Sequence, residues 1–169
     1  NFTYKLKAAV EKVFAFKDYE VPFGITTDGN ENLYMSFKSQ SGTGGFMKLT
    51  KEGVISKWAP AMGGEVAHYT LRYKGGAIYS TRLEKRIIKT TENNTPATYK
   101  AVPAAVTDFD FDKDGNIWAG SKGLGIMRID NNTNVKTFAF TGIVKSVRIF
   151  EEKTLDLYLY VAATQEING

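Results

Sequence analysis

Asp110-x-Asp112-x-Asp114-Gly115 has the residue types and spacing that open a calcium loop, where carboxylates at alternate positions converge on one hard cation and glycine makes the sharp turn. The twelfth position, where a bidentate glutamate belongs, is Ser121, and the flanking residues read as strands rather than helices. The triplet is therefore read as turn chemistry, with calcium as the alternative. His68 is the sole histidine, and Glu65 stands just before it, an imidazole and a carboxylate that together offer general-base chemistry or two metal ligands. No serine lies in a nucleophile-elbow context, and Gly42-x-Gly44-Gly45 lacks the Lys-Ser/Thr and helix of a phosphate loop. Asn1-Phe2-Thr3, Asn93-Asn94-Thr95 and Asn131-Asn132-Thr133 match glycosylation acceptors but are also ordinary Asn-rich turns. Without cysteine there is neither a disulfide framework nor a thiolate metal site.

What must position these groups is a repeated sheet unit. From Val106 to Phe140, four runs alternate apolar and polar residues: Asp108 to Phe111, Ile117 to Ala119, Ile126 to Ile129 and Val135 to Phe140. The Gly- and Asn-rich segments between them suit tight hairpin turns. The unit is a four-stranded antiparallel meander of about 40 residues, the content of one β-propeller blade. Tyr34, Tyr79, Trp118 and Tyr160 share its second-strand position at intervals of 45, 39 and 42 residues. Lys48, Lys89 and Arg128 share one register of the third strand. The aromatic series is read as core between blades.

On that ruler the chain is one all-β propeller domain or segment: a strand pair over 1–18, blades over about 21–59, 66–102 and 106–140, and a strand pair over 145–163. Residues 7–12 also have helix propensity, although the repeat favours a hairpin. The terminal pairs are complementary, one an outer and the other an inner half-blade. The ring therefore either closes as four blades or forms part of a larger propeller. The connection from Lys38 to Gly45, rich in Gly and Ser, is expected to be mobile.

The string FDFDKDGNIWAGSKGLGIMRID resembles the two-component regulator propeller repeat. The stretch Val21 to Asp28 followed by Asn32-Leu33-Tyr34 is similar to the NHL and virginiamycin-lyase style. The resemblance implies a propeller of the kind found in sensor ectodomains and in secreted or surface proteins of Bacteroidetes-like bacteria. It also implies that first-strand starts surround one mouth of a central channel, where ligands bind. His68 and Glu65 fall there, as do Tyr19, Phe23 and Tyr69, aromatics able to stack on a glycan or partner chain. Asp108, Lys145 and Arg148 would give that mouth mixed charge.

A net charge of +4 with lysines spread through every repeat reads as a solvated surface, not a nucleic-acid stripe. No apolar run reaches the ~20 residues of a membrane span, so direct insertion is not expected. The chain starts at Asn1 inside a strand pattern and reads as a mature or excised segment. The expectation is an extracytoplasmic, non-catalytic binding module for a protein or glycan, without cofactor or metal. The alternatives are a lyase or lactonase-like enzyme and a structural domain of a larger assembly.

Overall fold

The computed structural model describes residues 20–39, 44–59, 68–94, 96–139, 142–151 and 157–164, and every regular element among them is a strand. The first sheet comprises β1 (Glu20–Thr27), β2 (Leu33–Ser39), β3 (Gly44–Leu49) and β4 (Ile55–Ala59). The second comprises β5 (Thr70–Lys74), β6 (Ala77–Thr81), β7 (Arg86–Thr91) and β8 (Ala97–Ala101). The third comprises β9 (Val106–Phe111), β10 (Ile117–Ser121), β11 (Gly125–Ile129) and β12 (Val135–Phe138), and β13 (Ile143–Glu151) pairs with β14 (Leu157–Thr164). Each sheet is an antiparallel meander in chain order, the arrangement of propeller blades. The 1–18 strand pair, the helical alternative at 7–12, Tyr19 and Glu65 lie outside the described residues, as does much of the 38–45 connection.

Two hairpins show why the repeat folds as it does. Asp112 accepts the backbone N–H and side-chain amide of Asn116, each at 2.8 Å, and Trp118 Nε1–H at 3.1 Å. Asp28 does the same with Asn32 at 3.0 and 2.8 Å and with the Tyr34 hydroxyl at 3.0 Å. One carboxylate thus closes the turn and fixes the aromatic ring that follows. The position that must turn left-handed is Gly115 (φ 84°) in the β9–β10 hairpin and Glu31 (φ 64°) in the β1–β2 hairpin, so the latter turn carries backbone strain that the former avoids.

The aromatic and basic series meet in space. Tyr34, Tyr79 and Trp118 are cross-strand partners of Lys48, Lys89 and Arg128. The cations stand 5.8, 5.7 and 5.8 Å from the ring centroids. Each such contact is worth about 0.5–1 kcal/mol, against about 1.5–3 for burying one large apolar side chain, so packing between sheets dominates. One apolar cluster joins the first two sheets through Tyr34, Phe46, Trp58, Leu71 and Ile78. Another joins the second and third through Tyr79, Ile87, Val106, Phe109 and Met127. The fourth member of the aromatic series departs from the expected core: Tyr160 is 60% exposed. It stands on β14, whose one strand partner among the described residues is β13.

Candidate functional site

Cross-strand register fixes which inner-strand residues are equivalent. The aromatic positions pair with Thr26, Arg72, Asp110 and Arg148 on β1, β5, β9 and β13. Two residues earlier, on the same face of each strand, stand Gly24, Thr70, Asp108 and Ser146. These four opening strands converge on a cleft of about 340 Å³. Phe23 and Gly24 line it from β1, Tyr69 and Arg72 from around β5, Asp108 from β9, and Lys145, Ser146 and Arg148 from β13.

Asp108 is the centre of the floor. Its Oδ1 accepts Thr70 Oγ1–H at 3.1 Å, Arg72 Nη2–H at 3.1 Å and the N–H of Phe109 at 2.9 Å. Its Oδ2 accepts Ser146 Oγ–H and the N–H of Val147, both at 2.9 Å, and Arg148 Nη1–H at 2.7 Å. Burial pushes this carboxyl up, but the Val147 N–H and the two guanidinium groups outweigh it and hold it below the usual carboxylate range. Asp110, one register deeper, takes Arg72 Nε–H at 3.3 Å and the N–H of Ile149 at 3.0 Å. The two acids therefore join β9 to β5 on one side and to β13 on the other. Arg72 also lines a second cleft of about 400 Å³ toward the far ends of the same strands, and so forms a wall between the two.

The mouth is half apolar and half cationic. Phe23 and Tyr69 make an edge-to-face pair with centroids 5.5 Å apart, and both are partly exposed. Gly24 is required between them: a Cβ there would meet the carbonyl oxygens of His68 and Tyr69 at 2.9 Å. On the other side the Arg148 side chain is 55% exposed. Lys145 is exposed and has no hydrogen-bond or ion-pair partner among the described residues.

Five residues expected at the mouth thus come together: Phe23, Tyr69, Asp108, Lys145 and Arg148. His68 does not line the cleft. It is 3% exposed, its Nδ1 lies 2.7 Å from Ser80 Oγ, and its ring packs 4.8 Å from Phe46. Burial, reinforced by the charge of Arg82, pushes its pKa down to about 4. Its carbonyl accepts Ser36 Oγ–H at 2.7 Å, so it is a joint between the first two sheets. Arg72, Thr70 and Ser146 escaped the sequence reading, although counting register from Tyr79 and Tyr160 locates them.

The calcium alternative has no support in the side-chain geometry. Asp110 faces the neighbouring strands, Asp112 closes its own hairpin and Asp114 is exposed. Among the described residues no group of three His, Asp or Glu side chains is placed to hold a metal.

No family model matches the chain, and no curated protein matches it in sequence. Solved structures match its fold. A protein of unknown function from Bacteroides caccae superposes with a TM-score of 0.68 at 8% identity, over 90% of this chain and 60% of that one. A gluconolactonase from Xanthomonas campestris gives 0.62 at 12% identity, over 83% and 54%. Regucalcin from Agrobacterium tumefaciens, described as a calcium-binding protein, gives 0.58 at 13% identity, over 76% and 49%. The chain spans about half to three-fifths of the length of these structures. The fold is a β-propeller, of the kind seen in regucalcin and gluconolactonase structures. The regulator-type repeat remains a likeness of its sequence string.

Proposed function

We propose that this propeller is a binding module that holds a small ligand, free or displayed on a glycan or protein, in the cleft where its four inner strands meet. The observation that carries this is the convergence of Phe23, Tyr69, Lys145 and Arg148 around one opening above a carboxylate already occupied by its own protein. About 340 Å³ suits a single sugar ring or an amino-acid-sized group. The aromatic pair offers a face for C–H groups, while the cations and Ser146 offer polar contacts. With Asp108 saturated on both oxygens and His68 buried, the described mouth has no group free to accept a proton, which favours binding over turnover. Placement outside the cytoplasm, in a sensor, surface or assembly protein, belongs to the same proposal.

The test is a glycan array together with a small-fragment screen read by NMR. Binding that shifts the Phe23 and Tyr69 resonances and is lost in Tyr69→Ala supports the reading. Silence in both, or binding indifferent to Tyr69→Ala, overturns it.

A second reading, hydrolysis of a sugar lactone, is supported by the likeness of fold to gluconolactonase structures, which favours an enzyme over a binder. The described mouth residues do not fit a divalent cation, because each Asp108 oxygen already takes three donors. Acid release from a sugar lactone, measured with and without added calcium or zinc, decides it: turnover that disappears in Arg148→Ala supports the enzyme, and none above the uncatalysed rate removes it.

A further inference from the structure

We infer that the cleft selects ligands bearing a carboxylate, received by Lys145 and Arg148, with an apolar face of the same ligand against Phe23 and Tyr69. This rests on the reading of the cleft as a ligand site and adds the chemical class of what enters it.

The first argument is charge pairing. Three cations and one carboxylate line the cleft, and Asp110 adds a second carboxylate below it. Arg72 is matched by both acids, at 3.1 and 3.3 Å. Arg148 gives Nη1 to Asp108 and to the carbonyl of Val147, with its side chain still 55% exposed. Lys145 is matched by neither acid. The unmatched positive charge therefore sits at the exposed end of the site, where an incoming anion meets it first. Asp108 has no lone pair left for a cationic ligand, so the mouth discriminates by sign.

The second argument is backbone geometry and is independent of the first. In the β13 ladder Val144 pairs with Ala163 and Ser146 with Ala162, which leaves Lys145 as the extra residue of a β-bulge. Strict alternation would put Val144 and Val147 on opposite faces, yet both are fully buried. The bulge is what lets Lys145, Ser146 and Arg148 line one opening. A second irregularity between Pro22 and Ile25 does the same for Phe23 across the cleft. Three of the four inner strands thus break regular pairing near the mouth, β9 doing so at Thr107; β1 presents an aromatic ring there and β13 an ammonium with no partner among the described residues.

The experiment measures binding by NMR for two matched pairs: glucuronate against methyl glucoside, and benzoate against benzyl alcohol. Each is run on the wild-type chain, Lys145→Met, Lys145→Arg and Tyr69→Ala, after unfolding midpoints confirm that the variants fold. The expected result is that each acid binds more tightly than its neutral partner by at least about tenfold, equivalent to about 1.4 kcal/mol. Lys145→Met should erase most of that preference, Lys145→Arg should retain it, and added salt should weaken the acids alone. Equal binding of acid and neutral partner at the cleft, or a preference that survives Lys145→Met, overturns the inference and leaves the cleft as a ligand site. Inorganic sulfate binding as tightly as the organic acids also overturns it, because the apolar face would then contribute nothing. Absence of cleft shifts from all four compounds counts against both the inference and the binding-site reading.

Discussion

The backbone N–H of Val147 donates to Asp108 Oδ2 at 2.9 Å, and two residues on, Ile149 repeats the contact with Asp110 at 3.0 Å. Side-chain carboxylates on β9 thus take hydrogen bonds that a neighbouring strand would ordinarily accept. Replacing Asp108 with Asn keeps the shape but turns an amide toward N–H and guanidinium donors. Loss of about 3–5 kcal/mol in urea unfolding is expected, the usual cost of breaking a buried charge pair from one side. Because the folded pKa is depressed, this carboxylate's contribution is present above its unfolded value near pH 4 and fades as the pH falls below it. A wild-type stability curve flat from pH 5 to pH 2 would contradict this.

His68 should make stability depend on pH in a window no other histidine can confuse. Its folded pKa of about 4 lies below the ordinary 6.5, so the unfolded chain binds the proton more readily between those values. Stability is therefore complete above about pH 6.5 and declines toward pH 4, by on the order of 3 kcal/mol. His68→Gln should flatten that interval. An imidazole resonance titrating near 6.5 in the folded protein would show that burial is not governing it.

The cations over the second-strand rings should contribute modestly and independently. Lys89→Met is expected to cost about 0.5–1 kcal/mol, and combining it with Lys48→Met should roughly add the two losses, since the pairs lie in separate blades. Chemical denaturation of the single and double variants measures both. A null effect in every blade would reduce the repeated register to solubility.

Gly24→Ala tests the closeness of β1 to β5. The added methyl meets backbone oxygens at 2.9 Å, so the strands must separate at a cost of about 1–3 kcal/mol. Gly29→Ala, whose methyl would meet nothing within 4 Å, is the control and should stay within about 0.5 kcal/mol of wild type. Equal midpoints for the two variants would refute the contact.

Much of this arrangement was legible as period and register. The aromatic and basic series were found separately, and their members prove to be cross-strand partners because both count from the same hairpins. Turn chemistry at Asp112 was readable because Asp, Gly and Asn have strong local preferences. The burial of His68 was not, since a histidine at a strand entry looks the same whether it faces a channel or a neighbouring sheet. Arg72 was missed because its partners lie 36 and 38 residues away, beyond any local pattern. The β13 bulge left a faint trace: two valines spaced by three in a strand that otherwise alternates.

The four inner strands belong to four separate sheets, and their seams are closed largely by hydroxyl and carboxylate side chains. Among the described residues, backbone bonding between meanders is limited to single contacts such as Val106 N–H to the Glu84 carbonyl and the Lys122–Ile143 bridge, so a seam of that kind imposes no continuous ladder on the next meander. Duplication or loss of a whole unit then requires only that a few matching acids, hydroxyls and donors be present at the new junction, while every hairpin keeps its own internal code. The same carboxylates that secure the floor of the cleft are what allow the architecture to change its number of parts.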